Sequence, residues 1–280
     1  MEYKFNIKSI ELTDIQLYGD EKYNSNNHGN RPDDYEYIID QSYTNKWIDL
    51  FKSDYIKITI DNPQHIYLCK LANEIGQVTG NIPNLFLEDM EELFVNYGKD
   101  IFGVTGFFVK VNNVSLKYGK HGLGPYYNMR SIIESCVTCI KGHTPIRRNT
   151  TQLDIYLIPW VKVEPINEFR VFVYNNKITA ISQQNLYSVL YDDISIQEIP
   201  NKLTIILDYF NDVIKYKINW ISNYTYDFAI ADNKPYFIEM NCFGKEYAAG
   251  SALFHWILDE KILYNSFENG NNIVEFRYTI

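Results

Sequence analysis

Two short apolar runs late in the chain constrain its fold more than any other feature. Tyr226-Asp227-Phe228-Ala229-Ile230 and Tyr236-Phe237-Ile238-Glu239-Met240-Asn241 each read as a β-strand. Asp232-Asn233-Lys234-Pro235 between them carries hairpin-turn chemistry. Each run holds an acidic residue among apolar neighbours. Glu239 and Asn241 alternate with Met240, so on a strand they face the same way. A carboxylate in such surroundings needs a cation or a strong donor. Three oxygen-bearing side chains (Asp227, Glu239 and Asn241) from one hairpin suit a hard cation such as Mg2+, which most often arrives with phosphates.

The rest of the pattern mixes helices and strands. Gln41 to Phe51 carries Tyr43, Trp47 and Phe51 on one helical face, and Tyr55 to Ile60 alternates as a strand that Asn62-Pro63 ends. A helix is expected over Leu87 to Tyr97, a strand over Thr105 to Val111, and a helix over Asn128 to Ile140. Strands follow at Leu153 to Trp160, Glu168 to Tyr174 and Lys177 to Gln183, the last two joined by an Asn175-Asn176 turn. Pro200 to Lys217 has helical spacing, Ser251 to Asp259 reads as a short helix and Ile273 to Tyr278 as a closing strand. Residues before 40 are polar and mixed, with an exposed loop from Asn24 to Asp34. The order predicts an α+β fold. Strict βαβ alternation and a G-x-G-x-x-G are both missing, which argues against dinucleotide and P-loop folds.

Length and composition narrow the class. The 280 residues, 46% apolar and 22% charged, are those of a folded globular chain. A net charge of −9 gives no support for nucleic acid or an anionic membrane as partner. Cys136 and Cys139 form a C-x-x-C without a second pair, so they read as thiols at helical spacing rather than a zinc site. Four cysteines used in this way fit a reducing compartment, and the N-terminal residues lack a signal-peptide pattern, so the expected location is cytoplasmic.

Three further segments bear cations. Lys110 ends an apolar strand after Phe107-Phe108-Val109, where it can reach a phosphate or snorkel to solvent. Val114 to Tyr127 is Gly-rich, with Gly119, Gly122 and Gly124. Its amides, with Lys117, Lys120 and His121, suit an anion or a mobile surface loop. Glu168 and Arg170 share a strand face, where Arg170 can fork onto a phosphate or serve a structural ion pair.

Taken in order, a strand Lys, a Gly-containing loop, a strand ending at Trp160, a strand Arg and an acidic hairpin resemble an ATP-grasp site. More specifically, the chain resembles the cell division cycle protein 123 family. Ser42-Tyr43 with Trp47 and Phe51, then Tyr55-Ile56-Lys57-Ile58, is similar to that family's N-terminal pattern. Val109-Lys110-Val111-Asn112 with Ser115 resembles its Pro-Lys-Leu-Asn-Trp-Ser segment, and Trp160 followed by Glu168 to Val173 and Ile178 to Gln183 matches best. Tyr226-Asp227-Phe228 and Phe237 to Gly244 resemble its paired metal strands; Leu253 to Trp256 and Glu275-Phe276-Arg277 fit its last segments. Glu239 stands for the usual Asp, Cys242 for Pro, Asn113-Val114 for Trp-Ser, and Ile158-Pro159 for a basic pair.

The resemblance implies two intimate α+β lobes, about 1–152 and 153–280, with a nucleotide cleft between them. It implies that Lys110 and Arg170 contact ATP phosphates under the Gly119–Gly124 loop. Tyr156, Leu157 and Ile158 would meet the adenine edge, with Trp160 and Glu168 adjoining. Asp227, Glu239 and Asn241 would hold Mg2+. It implies an assembly chaperone that docks the gamma subunit of translation initiation factor 2. The alternative is an ATP-grasp ligase that joins a carboxylate to an amine or thiol through an acyl phosphate. A minor one is a nucleotidyltransferase or polynucleotide ligase, in which Lys117 of Lys117-Tyr118-Gly119 would be adenylylated.

Overall fold

The structure, a computed structural model, describes residues 3–25, 31–98, 101–247, 249–265 and 273–280. Part of the loop expected over Asn24 to Asp34, residues 26–30, lies outside the described residues. In chain order the elements begin with β1 (Lys4–Ile10), α1 (Leu12–Tyr18), α2 (Tyr35–Gln41), α3 (Thr44–Phe51), β2 (Ile56–Ile60), α4 (Pro63–Thr79) and α5 (Asn84–Gly98). Next come β3 (Phe107–Val111), α6 (Met129–Thr138), β4 (Leu153–Pro159), β5 (Glu168–Tyr174) and β6 (Lys177–Gln183). The chain then forms α7 (Ile199–Tyr209), α8 (Lys215–Lys217), β7 (Tyr224–Ala231), β8 (Lys234–Cys242), α9 (Glu260–Leu263) and β9 (Ile273–Thr279). The α+β class is as the sequence predicts.

The chain packs as two units. The larger comprises Met1–Trp47 with Lys162–Ile280, the smaller Ile48–Val161. The larger is built on a six-stranded sheet of order β1-β9-β6-β5-β7-β8, the smaller on a three-stranded sheet of order β2-β4-β3.

In the larger unit both hairpins follow from turn chemistry. Asn175 and Asn176 take φ of 50° and 57°, and Asp232 and Asn233 take 49° and 60°, the left-handed pair of a tight two-residue turn. One sheet face carries Tyr226 and Phe228 against the helix expected over Pro200 to Lys217. Phe210 stacks on Tyr226 at 6.5 Å and Tyr209 lies 5.7 Å from Phe228. That helix is α7 running into α8 through a π-helical turn at Phe210–Ile214. The opposite face is covered by the segment after β8, where Phe172 meets Phe254 and Trp256 at 5.3 and 5.6 Å.

That covering segment is not the helix the sequence suggests over Ser251 to Asp259. Ala252 has φ of 48°, and main-chain N–H groups are drawn to side chains instead of a helical ladder. Leu253 N–H donates to Ser182 Oγ (3.1 Å), Trp256 N–H to Ser25 Oγ (2.9 Å) and His255 N–H to Asp259 Oδ2 (2.9 Å). Among the described residues, only the single turn α9 follows as helix.

In the smaller unit, Ile58, Val109, Val111, Ile155 and Leu157 form the sheet side of a core shared with α4, α5 and α6. Asn62-Pro63, read as the end of a strand, is also the start of α4. The Asn62 side chain accepts from Gln64 N–H and Pro63 occupies the first turn.

Candidate functional site

Register across the larger sheet builds one continuous polar row. Lys8 on β1 lies opposite Arg277 on β9, Arg277 opposite Ser182 on β6, and Ser182 opposite Arg170 on β5. Arg170 in turn faces Asp227 on β7, and Asp227 faces Glu239 on β8. Residues opposed across a ladder share a face, so five strands deliver charged side chains to one line. Asn241 sits two pairs further along, opposite Thr225, with its Nδ2 donating to Glu239 Oε1 at 3.5 Å. Asp227, Glu239 and Asn241 are thus neighbours on one hairpin face.

Arg170 forms a forked pair with Asp227, Nε to Oδ1 at 2.9 Å and Nη2 to Oδ2 at 2.8 Å, and donates from Nη1 to Gly250 O at 2.7 Å. Its side chain is 12% exposed and that of Asp227 4%. Burial alone would lower the guanidinium pKa; the Asp227 charge outweighs this and raises it. Of the two readings the sequence allowed for Arg170, the structure shows the ion pair. Phe172, on the same face, is buried, so the strand is not polar on one side and apolar on the other.

A residue that sequence reasoning missed completes this group. Gln184 directly follows β6, two positions beyond Ser182 and hence on the same face. Its main-chain N–H donates to Glu168 O at 3.1 Å and its Nε2 to Asp227 Oδ2 at 3.3 Å. Its Oε1 is buried and, among the described residues, meets no hydrogen-bond partner. An acceptor left this way costs about 1–3 kcal/mol.

The donor set here is oxygen: two carboxylates, the Asn241 amide and the Gln184 amide. Among the described residues no group of three or more His, Cys, Asp or Glu side chains could hold a metal. This set fits Mg2+, which takes one or two carboxylates and completes its shell with water and phosphate. Zn2+, with its thiolate and imidazole preference, is a poor match.

The remaining candidates lie in the smaller unit. Lys110 on β3 is opposite Tyr156 on β4, and both are buried. Tyr156 donates its hydroxyl to Asn112 Oδ1 at 3.0 Å, and burial pushes that hydroxyl well above its ordinary pKa. Tyr156 and Leu157 are paired with β2 and β3 together; Ile158 is paired with β3 alone. A main-chain edge on the β2 side therefore opens only from Ile158 onward. Trp160 N–H is taken by Gly106 O at 2.9 Å.

The Gly-rich loop is tied down. Lys120 N–H donates to Thr138 Oγ1 (2.9 Å), His121 N–H to Ser135 Oγ (3.1 Å), and Gly119 and Gly122 N–H to Leu116 O and Gly119 O. Gly119 lies so close to Ser135 O that any side chain would collide with it. Glu134 on α6 accepts from His121 Nε2 at 2.6 Å and pairs with Lys120 and Arg130 at 3.5 Å. Burial would raise the Glu134 carboxyl; His121, Lys120 and Arg130 outweigh it and hold it below its ordinary range. Four loop amides are thus already engaged, two by α6 side chains and two by carbonyls of the loop itself.

The two α+β units and the charged row define a class before any family does: a mixed α+β protein with a buried Arg–carboxylate site on the central strands. The D123 family matches residues 128–279, over half of the chain, and the chain belongs to that family. A Candida albicans protein described as translation initiation factor eIF2 assembly protein is 32% identical over 115 residues. The match covers 39% of this chain and 31% of that protein. The structure of Cdc123 from Schizosaccharomyces pombe superposes with a TM-score of 0.57 at 15% identity, over 86% of this chain and 97% of that one. A C-terminally truncated form gives 0.56 at 14%, over 87% and 98%. The fold is shared with those structures. Among the described residues no helix is long and apolar enough to cross a membrane.

Proposed function

We propose that the chain binds Mg-ATP and, in that state, acts as an assembly chaperone for translation initiation factor 2 by docking its gamma subunit. One observation carries this reading: the registered row Arg170–Asp227–Glu239 lies within the segment that matches the D123 family. The role in assembly comes from the description of the Candida relative. The ATP assignment rests on the resemblance of the site residues to an ATP-grasp metal edge.

In this reading Asp227, Glu239 and Asn241 hold the cation. Arg170 orients Asp227 through its fork, and keeps a positive charge beside the phosphates. When bound, Mg2+ would neutralise charge on two phosphates at once. Lys110 is assigned to a phosphate contact by resemblance alone, and Lys110→Met tests it separately.

Calorimetric titration with Mg-ATP and capture of the isolated gamma subunit test the proposal together. Asp227→Asn keeps the size of the side chain and removes its charge. It should weaken Mg-ATP binding at least tenfold and lower capture in parallel. Equal Mg-ATP affinity in wild type and Asp227→Asn would reject the site. ATP consumption that depends on an added carboxylate and amine would favour a ligase instead.

A further inference from the structure

We infer that Gln184 is a fourth oxygen donor to the divalent cation at this site, bound through Oε1 directly or through one of the cation's waters. The inference rests on the Mg-ATP reading and adds a residue that the family pattern does not supply.

The argument begins with the amide's orientation. A glutamine amide beside a carboxylate must turn its NH2 toward it, because the reverse would set two acceptors face to face. Nε2 does donate to Asp227 Oδ2 at 3.3 Å. Asp227 therefore fixes which way Oε1 faces. The backbone is fixed as well, since Gln184 N–H is held by Glu168 O at 3.1 Å. What results is a positioned, buried oxygen with no donor among the described residues, next to a carboxylate that itself faces Glu239.

Such an oxygen calls for a donor or a cation. Arg170 is already committed to Asp227 and Gly250 from three of its nitrogens. With the Asp227 carboxylate beside the amide and Glu239 opposite Asp227 on the next strand, a hard divalent cation or its bound water satisfies Oε1 and offsets the negative charge together. Anion binding at this spot would oppose both.

Mn2+ stands in for Mg2+ because its paramagnetism reports binding without turnover. Full-length wild type, Gln184→Met, Gln184→Glu and Asp227→Asn are titrated with Mn2+, without and with ATP, and followed by electron paramagnetic resonance and water-proton relaxation. Gln184→Met keeps the length and loses the oxygen. It should weaken Mn2+ about tenfold while its circular dichroism and melting stay those of wild type. Gln184→Glu should bind Mn2+ at least as tightly as wild type. Gln184→Met binding Mn2+ as wild type does, while Asp227→Asn loses it, would overturn the Gln184 assignment and leave the site standing. Wild type that takes up no Mn2+ in either condition would overturn the Mg-ATP reading itself, and this inference with it.

Discussion

Arg277 and Arg170 occupy the same cross-strand row of one sheet, with Ser182 between them, yet their surroundings are completed in different ways. Arg277 donates to Glu275 Oε1 at 2.8 Å, to Leu253 O at 3.0 Å, and to both oxygens of Asp259 at 2.8 and 2.6 Å. Glu275 is further served by Lys8 at 2.7 Å and Asn6 at 2.9 Å, and Phe254 covers the guanidinium at 4.2 Å. Around Arg170 the same chemistry stops short, because Gln184 Oε1 ends the chain of contacts without a donor among the described residues. Evolution tolerates a buried ion cluster when every member is satisfied. A cluster finished except for one oriented acceptor is better understood as a place prepared for something else. The closed group ties Leu253 and Asp259 to the sheet; in the proposed reading the open one offers oxygen to the cation.

The largest effect that tests this contrast is in the closed group. Arg277→Met takes the cation from Asp259, leaves Glu275 to Lys8 and Asn6, and should cost roughly 3–5 kcal/mol in urea unfolding. Added Mn2+ should give it no more stabilisation than wild type receives. Arg170→Met should also destabilise, but Mn2+ should recover more of its loss, since the abandoned Asp227 carboxylate then faces a cation. At a hundredfold excess over Kd that recovery is about 2.7 kcal/mol. Equal responses of the two variants to Mn2+ would erase the distinction. The smallest effect concerns the Glu134 anchor in the other unit. Its folded-state pKa is depressed, so its contribution is present above the ordinary carboxylate range and lost as pH falls through the folded value. Glu134→Gln should therefore remove some of the acid sensitivity of unfolding below about pH 4, the ordinary glutamate pKa. Stability at pH 7 should fall while Mn2+ binding holds.

Where local chemistry decides, the chain is readable. Asn175-Asn176 and Asp232-Asn233 announce their hairpins because few residue pairs accept positive φ, and β5 and β6 lie where alternation places them. The strand β1 was hidden. Its pattern is mostly exposed and polar, and its partner β9 is distant in sequence. The helix α4 was hidden differently. Its buried stripe is Ile66, Cys69, Ala72, Asn73 and Gly76, helical in spacing but too small or polar to register as apolar periodicity. Gly76 is there because Val137 O leaves no room for a side chain. At the site, Asp227, Glu239 and Asn241 could be grouped from strand parity. Counting two residues beyond Ser182 would have found Gln184 as well. That Arg170 pairs with Asp227 could not be read, since it depends on which strand lies beside β5.

The pairing of β1 with β9 has a consequence in time. Asn6 hydrogen-bonds Glu275 across 269 positions of chain, so β1 must wait until β9 has been synthesised. The smaller unit, continuous in sequence, can close on the ribosome meanwhile, whereas the six-stranded sheet cannot gain its β1 edge until β9 emerges. During that interval residues Lys4–Ile10 travel as an unpaired strand. Their two lysines and polar alternation are well suited to keeping such a strand from pairing with strangers.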